Sequence, residues 1–383
     1  MQTVYFDYNA TTPLDPQVRE AMLPFLGEVW GNPSSVHQVG RRARALLDEA
    51  RERAATVLGA KPSEVVFTGG GTESANLAIF GATRLLRPKG RHIITSAIEH
   101  HAVLHCCDCL ERQEGFEVTR LPVDREGVVS PDALAQTIRP DTVLVSIMAA
   151  NNEIGTIQPV AELGAICRRR GVVFHTDAVQ WFGKEPFESV HQFNADLVSI
   201  CAHKMHGPKG AGALFVKSPL KPAPLLLGGS QENERRAGTE NLAGIVGLVE
   251  ALERFVRQPV FARETLAPLT DRLVRLIDRL PGAQLVGSRE RRLANTVAFV
   301  VAGCDSLPLL AGLDLDGICA SSGSACSAGS LEPSHVVEAL GVEKSLASSL
   351  VRFSLGREST LGEVERVERV LPQVIRRAVR QPG

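Results

Sequence analysis

The chain has 383 residues, a length that corresponds to about two domains. Its 42 Lys and Arg residues nearly balance 43 Asp and Glu residues, and so small a net charge argues against a nucleic-acid-binding protein. The sequence has no stretch apolar enough for a membrane helix and no secretory signal, and its 8 cysteines are too few for a disulfide framework in so long a chain. We therefore expect a cytoplasmic enzyme with free thiols.

Short apolar runs that alternate with amphipathic stretches predict an α/β fold in the first two thirds of the chain. The predicted strands are residues 65–68, 92–95, 117–121, 142–148, 172–176, 196–201 and 212–216. The predicted helices are residues 43–58, 72–86, 100–113, 159–170 and 240–256. This alternation is typical of a mainly parallel sheet, here of seven strands, which binds ligands beyond the carboxyl ends of its strands.

The pattern changes after Pro259, where a smaller α+β domain is predicted. Its predicted strands are residues 294–301, 318–321 and 350–354, and its predicted helices are residues 264–280, 307–313, 333–340 and 361–379. We expect a large domain of residues 15–258 and a small domain of residues 1–14 and 259–383.

Three consecutive glycines at residues 69–71 connect the first strand of the sheet to a predicted helix. Backbone N–H groups without side chains can approach an anion at a helix N-terminus, so the motif favours a phosphate cradle. The alternative interpretation is a tight turn with Thr72 as the helix N-cap. The spacing matches neither a dinucleotide-binding motif nor a Walker motif, so a nucleotide is not implied.

Two charged residues follow later strands of the same predicted sheet. Asp177 comes directly after a buried strand and needs a partner, which could be an Arg, a backbone N–H or a protonated ring nitrogen of a cofactor. Lys204 follows the next strand, where burial would make it a nucleophile suited to Schiff-base chemistry, whereas Lys209 is expected to be exposed. A phosphate cradle, an acid and a lysine are together the contacts that pyridoxal phosphate requires.

Several blocks, spread from Val4 to about Arg369, also match a known family. They are residues 4–13, 31–35, 150–155, 236–239, 331–335 and 352–357, and the most specific is Ser-Ser-Gly-Ser-Ala-Cys-Ser at residues 321–327. On these blocks the chain resembles the cysteine desulfurases of the iron–sulfur-cluster and nitrogen-fixation type, within the class-V aminotransferases. The resemblance implies a fold-type I pyridoxal-phosphate transferase that acts on L-cysteine as a homodimer.

The resemblance also implies which residues contact the cofactor ring. Lys204 would carry the cofactor as a Schiff base and move protons during catalysis. Asp177 would pair with the pyridine nitrogen, and Gln180 would reach the phenolic oxygen. His100 would stack on the ring and is counted with the catalytic residues.

The remaining cofactor contacts would hold the phosphate. By resemblance these are Gly71, Thr72, Cys201 and His203, with Thr239 reaching the phosphate of the neighbouring subunit. Cys201 replaces the serine more usual at this position in the family, and a thiol is a weaker donor than a hydroxyl.

Substrate binding and sulfur transfer would use three further residues. Asn152, which would also contact the cofactor, and Arg352 would bind the substrate carboxylate, a task that suits the Arg fork. Cys326 stands in a Ser- and Gly-rich segment with little to bury, so we expect an exposed thiol that forms a thiolate and attacks the substrate sulfur. The products would be L-alanine and a persulfide on Cys326, whose sulfur passes to an iron–sulfur scaffold protein. Cys326 could there serve as a transient cluster ligand.

Other functions remain open at this point. The same fold could carry an aminotransferase or a selenocysteine lyase. The helix 100–113 places four possible metal ligands on one face, namely His101, His105, Asp108 and Cys109, opposite Val103, Cys107 and Leu110. A non-catalytic sulfur- or metal-binding protein could be built on that face. We favour surface residues, because zinc sites usually take ligands from more than one element.

Overall fold

The computed structural model describes residues 3–323 and 333–379, so Cys326 lies outside the described residues. The β-strands are β1 (Val4–Tyr5), β2 (Val65–Thr68), β3 (His92–Ser96), β4 (Glu117–Leu121), β5 (Thr142–Ser146), β6 (Val173–Asp177), β7 (Leu197–Cys201), β8 (Gly212–Val216), β9 (Ala283–Val286), β10 (Thr296–Val301), β11 (Ile318–Cys319) and β12 (Val351–Ser354).

The α-helices are α1 (Pro16–Met22), α2 (Pro24–Gly27), α3 (Gln38–Leu58), α4 (Gly71–Leu86), α5 (His101–Glu114), α6 (Pro131–Thr137), α7 (Val160–Arg170), α8 (Leu242–Phe255), α9 (Arg263–Ile277), α10 (Ser306–Leu315), α11 (His335–Ala339), α12 (Lys344–Ala347) and α13 (Leu361–Ala378). Short 3-10 helices cover Pro62–Glu64, Val190–Phe193, Ala202–Lys204 and Gln231–Glu234. None of the helices in the described part of the chain is long and apolar enough to cross a lipid bilayer.

The central sheet has seven strands in the order β2-β8-β7-β6-β5-β3-β4. Strand β8 runs antiparallel to both of its neighbours, and the other pairs are parallel, so the predicted α/β fold with a mainly parallel sheet is confirmed. The carboxyl ends of β2, β6 and β7 therefore lie at the same edge of the sheet, where the glycine turn, Asp177 and Lys204 meet.

Both faces of this sheet are covered by helices. Val66 packs in a cluster with residues of α4 and α5, whereas the next residue, Phe67, packs in a cluster with residues of α3, α7 and α8. Ile93 and Ile94 divide between the same two clusters. Because successive side chains of a strand point to opposite faces, burial on both sides explains why the strands are continuous apolar runs.

A second group of strands lies outside the large sheet. Strands β12, β10 and β9 form an antiparallel sheet, and β1 pairs with β11 in parallel. Phe6 near the N-terminus packs in one cluster with Phe261, Phe299 and Phe353. These contacts support our proposal that residues 1–14 and 259–383 form a small domain beside a large domain of residues 15–258.

Candidate functional site

A cavity of about 260 Å³ opens at the carboxyl ends of β2, β6 and β7. Ten of the residues predicted for the site line it: Gly71, Thr72, His100, Asn152, Asp177, Gln180, Cys201, His203, Lys204 and Arg352. Asn9, Ala10, Met148 and Gly323 are further lining residues to which the sequence analysis assigned no role. The sequence feature that could have identified Asn9 and Ala10 as site residues is their place in the family-matching block of residues 4–13.

The glycine turn forms one end of the cavity. Strand β2 ends at Thr68, and α4 begins at Gly71 with Gly70 as its N-cap at φ 149°. The prediction of Thr72 as N-cap is wrong, because the N-cap lies two residues earlier, at Gly70, which has no side chain to cap the helix. A Cβ on Gly71 would lie 2.8 Å from Val179 Cγ2, so a larger residue would force the Val179 side chain or the turn to move. The first backbone N–H groups of α4 are thus open to an anion.

Two side chains near this turn are uncharged at neutral pH. Cys201 ends β7, and burial raises the pKa of its thiol. His203 lies in the following 3-10 helix, where burial lowers the pKa of the imidazole to about 4 and Nδ1 lies 3.1 Å from Thr11 Oγ1. Both side chains can therefore offer a hydrogen bond to a phosphate but not a positive charge.

Asp177 ends β6 and points its carboxylate into the cavity. One carboxylate oxygen accepts a hydrogen bond from the Val179 N–H at 2.9 Å. Burial raises the pKa of Asp177 to about 6, and within residues 3–323 and 333–379 no Lys, Arg or His forms an ion pair with it. A buried carboxylate with one backbone donor is a suitable partner for a protonated ring nitrogen.

Lys204 and Gln180 converge on the backbone of the N-terminal segment. Lys204 Nζ donates to the carbonyl oxygens of Asn9 at 2.8 Å and Ala10 at 2.7 Å. Gln180 Nε2 donates to the same Asn9 carbonyl at 3.0 Å. Burial lowers the pKa of Lys204, which favours the neutral, nucleophilic amine.

His100 is the N-cap of α5. Its Nδ1 accepts a hydrogen bond from the Ala102 N–H at 3.0 Å, which places the ring proton on Nε2. Burial, followed by the charge of Lys204, lowers the pKa of His100 to about 4. The imidazole is therefore neutral and held in one orientation at the cavity wall.

Arg352 on β12 is almost fully buried at the far end of the cavity. Its Nη2 donates to Asp7 Oδ1 at 2.5 Å, and its Nη1 donates to the carbonyl oxygens of Asn152 at 2.8 Å and Gly323 at 2.5 Å. Its Nε is buried without a hydrogen-bond partner among the described residues. The guanidinium lines the cavity, and its planar fork suits a small carboxylate.

These features fit pyridoxal phosphate. The open N-terminus of α4 suits the phosphate, the carboxylate of Asp177 suits the ring nitrogen, and the amine of Lys204 suits the aldehyde carbon.

Two predicted site residues are not brought to the cavity by the described chain. Thr239 is exposed and does not line it, although the neighbouring Arg236 pairs with Glu73 of α4 at 2.8 Å. Cys326 lies outside the described residues, while Gly323, three positions earlier, lines the cavity.

The polar face of α5 is engaged in contacts of its own. The ring of His101 stacks on that of His105 with centroids 4.9 Å apart, and Asp108 pairs with Arg120 at 2.6 Å. The residues predicted to be buried on the opposite face, Val103, Cys107 and Leu110, are fully buried. Lys209 is exposed, as predicted.

Comparison with known proteins places the fold and the cavity in context. The sequence profile of aminotransferase class-V matches residues 4–367. The cysteine desulfurase IscS of Dictyoglomus turgidum is 50% identical, over 97% of this chain and 94% of that protein. A solved structure described as a NifS-like protein has a TM-score of 0.91 and 38% identity, covering 98% of this chain and 100% of its own. The structure described as SspA in complex with cysteine has a TM-score of 0.81 and 37% identity, covering 94% of this chain and 100% of its own.

Proposed function

This chain belongs to the class-V aminotransferase family and is a pyridoxal-phosphate-dependent cysteine desulfurase, and we propose that it stores the sulfur of L-cysteine as a persulfide on Cys326. The observation that carries this proposal is the convergence of Lys204, Asp177 and Arg352 on one cavity of about 260 Å³. The similarity to cysteine desulfurases selects L-cysteine from the amino acids that such a cavity could accept.

Each reactive residue of the cavity has a separate role in the reaction. When bound, pyridoxal phosphate supplies a ring that withdraws electrons from the α-carbon of the substrate. Asp177 keeps a positive charge on the ring nitrogen because its buried carboxylate forms no ion pair with another described residue and can pair with the ring. Lys204, whose pKa is lowered by burial, accepts a proton at Nζ and returns it. Arg352, which lines the cavity, binds the substrate carboxylate through its planar guanidinium and so orients the substrate.

The atoms and electrons of the sulfur-transfer step balance without an added oxidant. The thiolate of Cys326 forms a bond to the sulfur of the substrate while the carbon–sulfur bond breaks, and the carbon takes up a proton. One cysteine and one enzyme thiol thus become one alanine and one persulfide.

A second copy of the chain would complete the site. Thr239 is exposed in a single chain, and Leu227, earlier in the same region, is 82% exposed. The adjacent Leu226 is 43% exposed, and apolar side chains exposed side by side, unlike single ones, are a mark of protein interfaces. We propose a homodimer in which Thr239 of one subunit contacts the phosphate of the other.

The persulfide needs an acceptor and a reducing environment. We propose that an iron–sulfur scaffold protein takes the sulfur, with Cys326 as a transient ligand of the growing cluster. A cytoplasmic location would suit this role, because the cytoplasm keeps Cys326 in its thiol form.

The test is to incubate the loaded protein with L-cysteine and a reductant and to measure alanine, sulfide and the mass of each cysteine-containing peptide. We expect equal amounts of alanine and released sulfur, an added sulfur atom on the Cys326 peptide, and activity at background in Cys326→Ser. Cys109→Ser, a half-buried thiol outside the cavity, serves as the matched control and should keep full activity. Normal sulfide release by Cys326→Ser would refute the proposed nucleophile, and consumption of pyruvate in place of sulfide release would indicate an aminotransferase.

A further inference from the structure

Lys184 is a buried lysine beside the cavity to which neither the sequence nor the proposed mechanism gives a role. It is 3% exposed, and burial lowers its pKa well below the usual range. Its Nζ donates to Asn9 Oδ1 at 2.7 Å and to Gln180 Oε1. Among the described residues no carboxylate lies within ion-pair distance of it, so these two amide oxygens are its polar contacts. Its Nζ also lies 5.2 Å from the centre of the Phe261 ring, but only the two amides accept hydrogen bonds from it among the described residues, so the buried amine stabilises these two amides in one orientation.

The contact with Gln180 decides which end of that amide faces the cavity. An amine that donates to the oxygen of an amide cannot do the same for its NH₂ group, so Lys184 holds Gln180 Oε1 on its own side. The NH₂ group of Gln180 is thereby directed to the Asn9 carbonyl at 3.0 Å. Lys204 Nζ donates to the same carbonyl at 2.8 Å. Lys184 therefore orients the amide that lies next to the reactive lysine.

The contact with Asn9 has a similar effect on the other side of the network. Asn9 Oδ1 accepts from Lys184 and from Asn295 Nδ2 at 3.0 Å. This leaves Asn9 Nδ2 to donate to Thr296 Oγ1 at 2.8 Å and to the Asn152 carbonyl at 3.1 Å. The position of the Asn9 carbonyl, which receives Lys204, thus depends on a side chain that Lys184 helps to fix.

We propose that Lys184 is a positioning residue: it fixes the Gln180 amide so that one N–H donates to the Asn9 carbonyl and the second N–H is available to the phenolic oxygen of the bound cofactor. This inference rests on the proposed function, because it assumes that the cofactor occupies the cavity. Lys184 itself is not among the residues that line the cavity.

The test replaces Lys184 by methionine, which has nearly the same shape and no donor. Asn9 Oδ1 keeps its bond from Asn295, so we expect the variant to fold, as checked by the unfolding temperature of the unloaded protein. The readouts are the affinity for pyridoxal phosphate and the pH titration of the absorption band of the loaded protein. An N–H donor favours the more negative form of the bound group, so its loss should raise the titration midpoint by about one pH unit and weaken binding ~10-fold, as expected for one hydrogen bond to a charged group.

A double-mutant cycle separates positioning from a general structural effect. If Lys184 acts through Gln180, then Lys184→Met should cause no further shift in a Gln180→Leu background. A wild-type midpoint in Lys184→Met, or an equal shift in both backgrounds, would overturn the proposal. Lys217→Met, a partly exposed lysine outside the cavity, should titrate like the wild type.

A second variant covers the case in which Lys184→Met does not fold. Lys184→Gln keeps a donor on a side chain one bond, about 1.5 Å, shorter, so it cannot keep both contacts. We expect a shift in the same direction that disappears in the Gln180→Leu background, and no shift at all would overturn the proposal. A wild-type protein that binds pyridoxal phosphate but forms no alanine would refute the proposed function alone. A wild-type protein without a cofactor band would refute both.

Discussion

The ion pair between Arg51 and Glu232 is buried, and its burial predicts how much free energy of unfolding is lost when one partner is removed. The guanidinium makes two hydrogen bonds to the carboxylate, at 2.7 Å and 2.5 Å, and their side chains are 11% and 1% exposed. Arg51 also donates to the Val65 carbonyl at 2.9 Å, and Glu232 accepts from the Phe67 N–H at 2.9 Å. The pair thus connects α3 and the segment before Thr239 to strand β2, which leads into the glycine turn.

Arg51→Met would leave the carboxylate of Glu232 buried without its cation. Removing one partner of a buried pair costs about 3–5 kcal/mol, because the remaining charge is neither hydrated nor compensated. The Phe67 N–H still donates to Glu232, so we expect the lower end, about 3 kcal/mol. With a slope of about 3 kcal/mol/M, the urea midpoint should fall by about 1 M.

The assay is urea unfolding of the unloaded protein, followed by circular dichroism, for wild type, Arg51→Met and the double variant Arg51→Met/Glu232→Gln. A glutamine at position 232 keeps the acceptor for Phe67 and removes the buried charge, so the double variant should recover at least half of the lost stability. Arg19→Met serves as the control, since its pair with Glu20 is 62% and 58% exposed and should contribute less than about 1 kcal/mol. A loss below about 1 kcal/mol in Arg51→Met, or no recovery in the double variant, would refute the reasoning.

Three further predictions concern the cavity. Gly71→Ala should weaken binding of pyridoxal phosphate at least ~10-fold in equilibrium dialysis, because the new Cβ would lie 2.8 Å from Val179 Cγ2. The affinity of the unloaded protein for pyridoxal phosphate should be full well above pH 6 and fall as the pH drops through 6, because the pKa of Asp177 is about 6 and only its carboxylate form pairs with a protonated ring. Arg352→Lys should raise the KM for L-cysteine at least ~10-fold with a smaller change in kcat, because an ammonium lacks the planar fork that binds a carboxylate.

Each of these three predictions has a matched control variant. Gly362→Ala on α13 meets no atom within 4 Å and should bind the cofactor normally. The Asp177→Asn variant has no carboxylate to titrate at this position. Its affinity for pyridoxal phosphate should be weaker and should no longer change with pH near 6. An unchanged pH profile would contradict the pairing of Asp177 with the ring nitrogen. Arg168→Lys, an exposed change outside the cavity, should leave the KM unchanged, and an unchanged KM in Arg352→Lys would argue against its role with the substrate.

The strands of the large sheet were predicted closely because their signal is local. β2 and β8 have the predicted bounds, since continuous apolar runs are what a sheet covered on both faces requires, and β4, a partly exposed edge strand, also has the predicted bounds. Elements with weaker signals were missed. Strand β9 is only partly buried, and α1 and α6 have 7 residues each, so neither their periodicity nor their length distinguished them from loops.

The site was predicted as a set of residues but not as a network. The reactive side chains at the ends of β6 and β7 were visible because parallel strands present ligands at their carboxyl ends. The residues that set the protonation and orientation of these side chains were not visible in the sequence. Asp7 and Asn9 lie in the family-matching block of residues 4–13, but that block does not show which side chains they meet, and Lys184 lies in none of the matching blocks.

By itself, the sequence determined the sheet, the glycine turn and the types of reactive residue available, because these depend on apolar runs, chain stereochemistry and the positions of strand ends. Only the tertiary structure decided that Asn9 meets Lys204 across 195 positions and that Asp7 meets Arg352 across 345. Such contacts depend on strand order and on the packing of the N-terminal segment against both sheets. The spacing of residues along the chain carries no information about either, whereas burial in the folded protein sets the pKa of Asp177, Lys204 and Lys184.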